Sequence, residues 1–343
     1  MSFSDRPIDV SVCIVSWNTR DLLRRCLESL FKHTYGAKFE VIVVDNASCD
    51  ASPEMVDLDF PQVRLVVKQE NAGFAAGCNE GMKIARGRYF LLLNSDAWIE
   101  DDVLAALVTF MDAHPDVGVG GCTLRYPDGR LQASCGYFPN LVSTLWNGLS
   151  PHALFGRIKN RDEHFPSPFL AYKRHVHQTD VDWVVGACMM ARRETVDKAG
   201  MMDDSIFMFG EEWEWCMRIK SAGCRIVYTP TAHVVHVGSG SWTMSSAKRV
   251  HAILSSQYYI FRKHHGALYA QLFKAATLFN ALAKAIVWRL FTIIRRPKTP
   301  AGQPAAQWHA HTLRWCLQRS HAMLQSDEVA PPDKPAGARE PEP

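Results

Sequence analysis

Read for apolar and polar positions, the chain switches repeatedly between two periods. "VSVCIVSW" (10–17) is an unbroken, β-branched run that predicts a buried strand, and Leu22, Leu23, Cys26, Leu27 and Leu30 then recur at helical spacing. "FEVIVVDNAS" (39–48) and "VRLVVKQ" (63–69) predict a second and a third strand. A helix is expected from about Phe74 to Arg86, stopped by Gly87 as its C-terminal cap. "YFLLLNSDAW" (89–98) predicts a fourth strand, whose apolar run breaks abruptly into Asn94, Ser95 and Asp96. Strands alternating with helices imply βαβ units: an α/β fold with a mainly parallel central sheet flanked by helices. Ligands of such sheets bind beyond the carboxyl ends of the strands. A core strand ending in an amide, a hydroxyl and a carboxylate is therefore either a turn or part of a site.

From about 123 to 180 the periodicity weakens and Pro, Gly, Asn and His become frequent, which predicts long loops and short strands covering the sheet. Regularity returns with a strand at "VDWVVGACMMARR" (181–193), a helix at "EEWEWCMRIKSAG" (211–223) ended by Gly223, and a strand at "RIVYTP" (225–230). The segment 267–296 is amphipathic. Spacing its residues about 100° apart gathers Leu268, Leu272, Ala275, Phe279, Leu282, Ile286, Leu290 and Ile293 on one face, with Gln271, Lys274, Asn280, Lys284, Thr292 and Arg295 on the other. Basic flanks ("FRKHH" and "RRPK") suit an anionic membrane surface; a helix docked on the protein's own core or on a second subunit shows the same period. The expected organisation is a lead-in over 1–9, a globular domain over 10–245, a basic amphipathic extension over 246–300, and a tail over 301–343, disordered from about Ser326.

Composition narrows the classes. The 343 residues are 47% hydrophobic and 21% charged with a net charge of +3, which argues for a globular protein and against a nucleic-acid binder. Ten cysteines without a CxxC pair suggest a reducing, cytoplasmic compartment, with neither a disulfide framework nor a structural zinc site. No secretory signal and no ordinary membrane span are expected.

Candidate chemistry gathers at strand ends and helix starts. Asp45, where the second strand ends, can accept hydrogen bonds from a base or ribose, although Asp-Asn also favours turns. "NAGFAAGCN" (71–79) opens a helix with Gly73 and Gly77, which allow close backbone approach to phosphate or tight helix–sheet packing. It is neither GxGxxG nor a P-loop. Asp96 can ligate a hard divalent cation that bridges a diphosphate, with Asn94 as a neutral partner or sugar contact. Glu211, Glu212 and Glu214 crowd a helix start, where negative charge is favoured for structural reasons alone; a base needs one of them to face a cavity. His233 and His236 lie beside glycine-rich backbone.

In this order and spacing, "VSVCIVSWN", "VVDNASCD", "NAGFAAGCN", "LLLNSDAW" and "FMFGEEWEWCMR" resemble the family-2 glycosyltransferases of GT-A fold, over about Val10 to Ser241. "NSD" in place of DxD, "YPDGRLQASCGYFPN" (126–140) and "HVVHVGSGS" are similar to the bacterial rhamnosyltransferase-type branch, whose enzymes build cell-envelope polysaccharides. By position, the resemblance implies that Trp17 and Asp45, with the adjacent Ser16, hold the nucleobase and ribose, and that Asn71 and Gly73 form the loop near the nucleotide. It implies Mg²⁺ or Mn²⁺ on Asp96 and His236, with Asn94 replacing the usual first aspartate. Glu212 matches the catalytic base, though glutamate stands where aspartate is usual and Glu211 remains a second candidate.

The implied reaction is inverting transfer of a sugar from a nucleoside-diphosphate donor, dTDP-rhamnose or a UDP-sugar, to a glycan or polyprenyl-linked acceptor. The expected place is the cytoplasm or the inner face of its membrane, with a homo-oligomer open. Two rivals are a sugar nucleotidyltransferase, which would release pyrophosphate, and a non-catalytic, membrane-associated sugar-nucleotide-binding protein.

Overall fold

In the computed structural model, residues 7–149, 175–238, 246–295 and 303–318 are described. The four early apolar runs become β1 (Val10–Ser16), β2 (Phe39–Asp45), β3 (Arg64–Val67) and β4 (Tyr89–Asn94). They stand side by side in the order β3-β2-β1-β4, all parallel. Ser16 is level with Asp45, and Val15 with Asn94, so the polar strand ends share one rim. Helices α1 (Arg20–His33), α2 (Ser52–Asp59) and α3 (Phe74–Ile84) make the crossovers.

The other half of the sheet is mixed. It contains β5 (Ala97–Ile99), β6 (Val117–Arg125), β7 (Leu131–Gln132), β9 (Thr179–Asp180), β11 (Cys188–Arg192) and β12 (Arg225–His236), while β8 (Cys135–Gly136) and β10 (Trp183–Val184) pair separately. β11 runs antiparallel between β4 and β6, and β12 is parallel to β6. β12 shifts register between Tyr228 and His233, pairing first with β9 and then with β5. Because β5 follows β4 after two residues, this pairing returns the end of β12 to the end of β4. Helices α4 (Val103–Ala113), α5 (Leu141–Leu149), α6 (Arg193–Ala199) and α7 (Glu211–Ser221) complete the domain. Two apolar clusters fill its faces: one includes Ile14, Leu27, Leu91 and Leu104, the other Ile42, Phe90, Trp183 and Trp215.

Several expectations need correction. α3 ends at Ile84 with Ala85 extended, and Gly87 caps nothing. A Cβ at Gly87 would lie 2.5 Å from the Ser11 nitrogen, so this glycine serves close chain packing. The run 181–193 is two strands, broken around Gly186, and the strand expected over 225–230 continues to His236. Within the span read as loops, 141–149 is helical; 150–174 lies outside the described residues. The span read as a tail holds α10 (Gln303–Leu317), and the disorder expected from Ser326 concerns residues outside those described.

Helices α8 (Ser246–His265), α9 (Ala267–Arg295) and α10 share a core of Phe261, Ala270, Phe273, Trp315 and Cys316. Lys263 fastens this extension to the sheet domain, 2.6 Å from Asp203 and 2.8 Å from Glu214. The inward face of α9 carries Ala270, Phe273, Ala276, Thr277, Asn280 and Ala281. Its more apolar face, from Leu268 to Ile286, points outward, so that face is not the one docked on the protein's core. The side chains of Leu290, Thr292, Ile293 and Arg295 lie outside the described set.

Candidate functional site

β4 and β12 deliver three polar side chains to one point. His236 pairs opposite Ala97, and the Val237 N–H donates to the Asp96 carbonyl at 3.1 Å, which fixes the two chains at their ends. Asp96 Oδ1 then lies 3.2 Å from His236 Nε2, and the Asn94 amide nitrogen also lies 3.2 Å from Nε2. On the other side of the ring, Gln132 Oε1 sits 2.7 Å from Nδ1. An amide oxygen can only accept, so Nδ1 carries a proton, and Nε2 stands between the Asp96 carboxylate and the Asn94 amide. The Asp96 carboxylate and the His236 ring thus meet in a buried place.

A divalent cation could bridge the two. Two ligands at adjacent corners of an octahedron, each about 2.0–2.1 Å from Mg²⁺, stand about 3.0 Å apart. Carboxylate suits Mg²⁺ or Mn²⁺, and an imidazole ligand favours the transition metal, Mn²⁺, of the two. Among the described residues no group of three or more His, Cys, Asp and Glu forms a metal cluster. The protein would therefore supply Asp96 and His236 and leave further positions to phosphate and water, as Mg²⁺ sites usually do. His233 stands apart, 3.8 Å from Glu100 and 3.7 Å from Asp101.

A second group of polar atoms lines the ends of β1 and β2. Asp45 Oδ1 accepts the Ser48 N–H at 2.8 Å, while its buried Oδ2 has no partner. Burial raises the Asp45 carboxyl, and the Ser48 bonds only partly offset this. Asn46 donates from Nδ2 to the Gly73 carbonyl at 3.0 Å, and Asn71 Oδ1 accepts the Gly73 N–H at 3.0 Å. Asn46 Oδ1 and Asn71 Nδ2 are buried and unpartnered. Unsatisfied buried polar atoms are rare in folded proteins, and these offer two acceptors and a donor to a ligand. The Ser16 hydroxyl is engaged within the fold, 3.1 Å from Thr19 Oγ1, which donates to Ser95 Oγ at 2.9 Å. Trp17 packs with Phe207, Met208, Phe209 and Ala252 of α8.

Gly73 clasps this loop onto the approach to α7. Its φ is +88°, and a Cβ there would stand 2.4 Å from the Phe207 carbonyl oxygen. The Phe74 N–H donates to that same oxygen at 3.1 Å. Positive φ at Phe209 (66°) and Gly210 (113°) then turns the chain into α7, whose first residues are Glu211 and Glu212. Each has a buried, unpartnered Oε2. Burial drives the Glu211 carboxyl well above the ordinary value, and the neighbouring Glu212 charge pushes it further. Burial also raises Glu212, but the backbone N–H groups of Glu212 and Gly210 favour its ionised form. Glu211 is the more buried of the two. Burial therefore favours a proton shared by the pair, with Glu212, the less buried of the two, the easier to ionise. Glu214 is structural: burial raises its carboxyl, and Arg218 and Lys263 outweigh that and hold it below the ordinary value.

The structure thus groups Asn94, Asp96 and His236 at one point and joins Asp45, Asn71 and Gly73 to the start of α7. Three contributors had no role in the sequence reading. Gln132 lies in the "YPDGRLQASCGYFPN" stretch, where no local period marks it. Asn46 follows Asp45 and reads as a turn residue. Phe207 acts through its carbonyl, which sequence does not display.

Known proteins resemble the chain in sequence and in fold. The family model described as "Glycosyl transferase family 2" matches residues 11–198. An N-acetylglucosaminyl-diphospho-decaprenol L-rhamnosyltransferase of Mycobacterium tuberculosis is 26% identical over 74% of this chain and 84% of its own. An O-antigen biosynthesis protein of Myxococcus xanthus is 27% identical over 73% of this chain and 18% of its own. A mannosyltransferase from Pyrobaculum calidifontis, solved with GDP-Man and Mn²⁺, superposes with a TM-score of 0.56 at 16% identity, covering 92% of this chain and 89% of that one. The chain has the GT-A fold, and it is a glycosyltransferase that belongs to glycosyl transferase family 2.

Proposed function

We propose that the protein transfers a sugar, with inversion, from a nucleoside-diphosphate donor to a hydroxyl of a glycan or polyprenyl-linked acceptor. A rhamnose-like sugar carried by dTDP or UDP is the favoured donor, which the rhamnosyltransferase relative supports. The setting is cell-envelope polysaccharide synthesis at the cytoplasmic face of the membrane. The observation that carries the reading is the make-up of the site: two buried carboxyls with unpartnered oxygens at the start of α7, Glu211 and Glu212, and an Asp96–His236 pair that could hold a divalent cation.

Asp45, Asn46 and Asn71 would hold the nucleoside through their unpartnered atoms. Glu212 takes the proton of the acceptor hydroxyl, whose oxygen bonds to the anomeric carbon from the side opposite the diphosphate. The bond from that carbon to the phosphate oxygen breaks, and its electron pair leaves with the diphosphate. Burial and the neighbouring Glu212 charge favour the neutral form of Glu211, which leaves Glu212 to take that proton. Mg²⁺ or Mn²⁺ on Asp96 and His236 would supply positive charge where the leaving group becomes negative.

A thermal-shift panel of nucleotide sugars, with and without Mn²⁺, tests the reading. A ligand at about 100 times its Kd stabilises by about 2.7 kcal/mol, which raises the midpoint of a chain this size by roughly 3–5 °C. One nucleoside-diphosphate sugar should give this shift only with Mn²⁺. Equal shifts with and without the metal, or none with any donor, would sink the metal-dependent reading.

A further inference from the structure

The outward face of α9 is the least expected surface of the molecule. Leu268 is 74% exposed, Phe279 52% and Ile286 60%, with Leu272 and Leu282 exposed between them. At about 100° per residue these five fall within one stripe of roughly 80°. On α5, which packs beside α9 through the Asn280 amide donating to the Thr144 carbonyl at 2.7 Å, Val142 and Leu145 are exposed too. An amphipathic helix ordinarily turns its apolar stripe inward. Here the inward face is built from alanines, Thr277, Asn280 and one large residue, Phe273, so the docking leaves the more apolar side uncovered.

Charge says what could cover it. Residues 246–318 contain eleven Lys and Arg and no Asp or Glu, although the whole chain carries only +3. Lys263 is paired with Asp203 and Glu214 of the sheet domain. A second copy pairing through this face would bring two acid-free, cationic segments together, because a two-fold interface opposes identical surfaces. An apolar stripe in an acid-free, basic segment instead matches an anionic lipid surface, with the apolar side chains in the acyl boundary and the net positive charge of the segment drawn toward the headgroups. Among the described residues no helix is long and apolar enough to cross a membrane, so the fit is to a surface.

We infer that the Leu268–Ile286 stripe of α9, with Val142 and Leu145 of α5, is a docking face for an anionic lipid bilayer. The inference does not depend on the transfer chemistry. It has a consequence for it: His264, three residues before α9, lies 3.1 Å from Glu214, two residues after Glu212. A docked α9 therefore begins beside the helix that carries the acid pair, where a lipid-borne acceptor would need to arrive.

Flotation of the full chain with phosphatidylcholine vesicles, with and without phosphatidylglycerol, tests this. The wild-type chain and the triple variant Leu272→Gln, Phe279→Gln, Ile286→Gln are compared, with thermal unfolding to confirm that these exposed changes leave the fold intact. The wild-type chain should float with the anionic vesicles and lose binding at high salt. The triple variant should bind at least about tenfold more weakly, since binding scales with buried apolar area. Equal binding to neutral vesicles, no binding, or an unchanged variant would overturn the inference. So would a lipid-free dimer, seen by light scattering, that the triple variant disperses.

Discussion

Replacing Gly73 by Ala tests whether the loop at 71–74 sets the position of Glu212. The new Cβ would stand 2.4 Å from the Phe207 carbonyl oxygen, 2.9 Å from Phe207 Cδ2 and 3.0 Å from Phe207 Cα. The carbonyl must retreat by roughly 0.6–1 Å to reach tolerable contact, and two of the three atoms are backbone, so no rotamer change relieves it. The retreat breaks the 3.1 Å bond from the Phe74 N–H and pulls on the turn into α7. Left-handed backbone costs a non-glycine residue about 1–2 kcal/mol, and overpacking about 1–3 kcal/mol. The sum, about 2–5 kcal/mol, leaves most domains folded. Displacement of a catalytic group by about 1 Å can cost about 10²-fold in rate. The control is Gly223→Ala: φ there is +83° with nothing within 4 Å of the new Cβ, so it carries the backbone strain without the clash. Thermal unfolding and nucleoside diphosphate release are measured on both. Gly73→Ala should lose the larger share of stability and about 10² in kcat, while Gly223→Ala keeps its rate within about twofold. A Gly73→Ala enzyme as fast as the control would refute the coupling of this loop to the base.

Other substitutions probe the remaining parts of the site. Asp96→Asn keeps the shape but removes the charge facing His236, so transfer should lose its response to added Mn²⁺; a wild-type metal titration would discredit Asp96 as a ligand. Glu211→Gln should stabilise the protein increasingly as pH rises. The native carboxyl sits well above 4.5, so its contribution is full below that value and is lost as pH climbs toward the native pKa. Unfolding midpoints at about pH 5 and about pH 8 check this, and a variant gap that shrinks with pH would reverse the sign. Glu214→Ala breaks the buried contacts to Arg218, Lys263 and His264 and should cost about 3 kcal/mol, the low end for a buried ion pair because Lys263 can rehydrate. Chemical denaturation measures it, and a loss below about 1 kcal/mol would place the attachment of the extension elsewhere.

Much of the parallel half was legible because its strands are β-branched runs followed by helical periods, as with Val10–Ser16 and α1. The carboxylates at strand ends followed from the rule that such sheets bind ligands there. What was not legible depends on pairing between distant segments. Nothing local shows that β12 returns to β4 and brings His236 beside Asp96, or that Gln132 orients its ring. Glu211 and Glu212 stand at the same helix start, and their difference in burial is invisible in the sequence. The period of α9 gave its two faces correctly, but packing and not periodicity decides which face turns inward.

The central claim, that Glu212 acts as the base while a separate set of residues holds the nucleotide, is tested most directly in Glu212→Gln. Its donor Kd, by calorimetry with Mn²⁺, and its transfer rate, by product formation, are measured on the same preparation. The account predicts a rate lower by about 10²–10⁴ with donor affinity held within about threefold. Undiminished transfer by Glu212→Gln, or a collapse of donor binding that explains the lost rate, would contradict it.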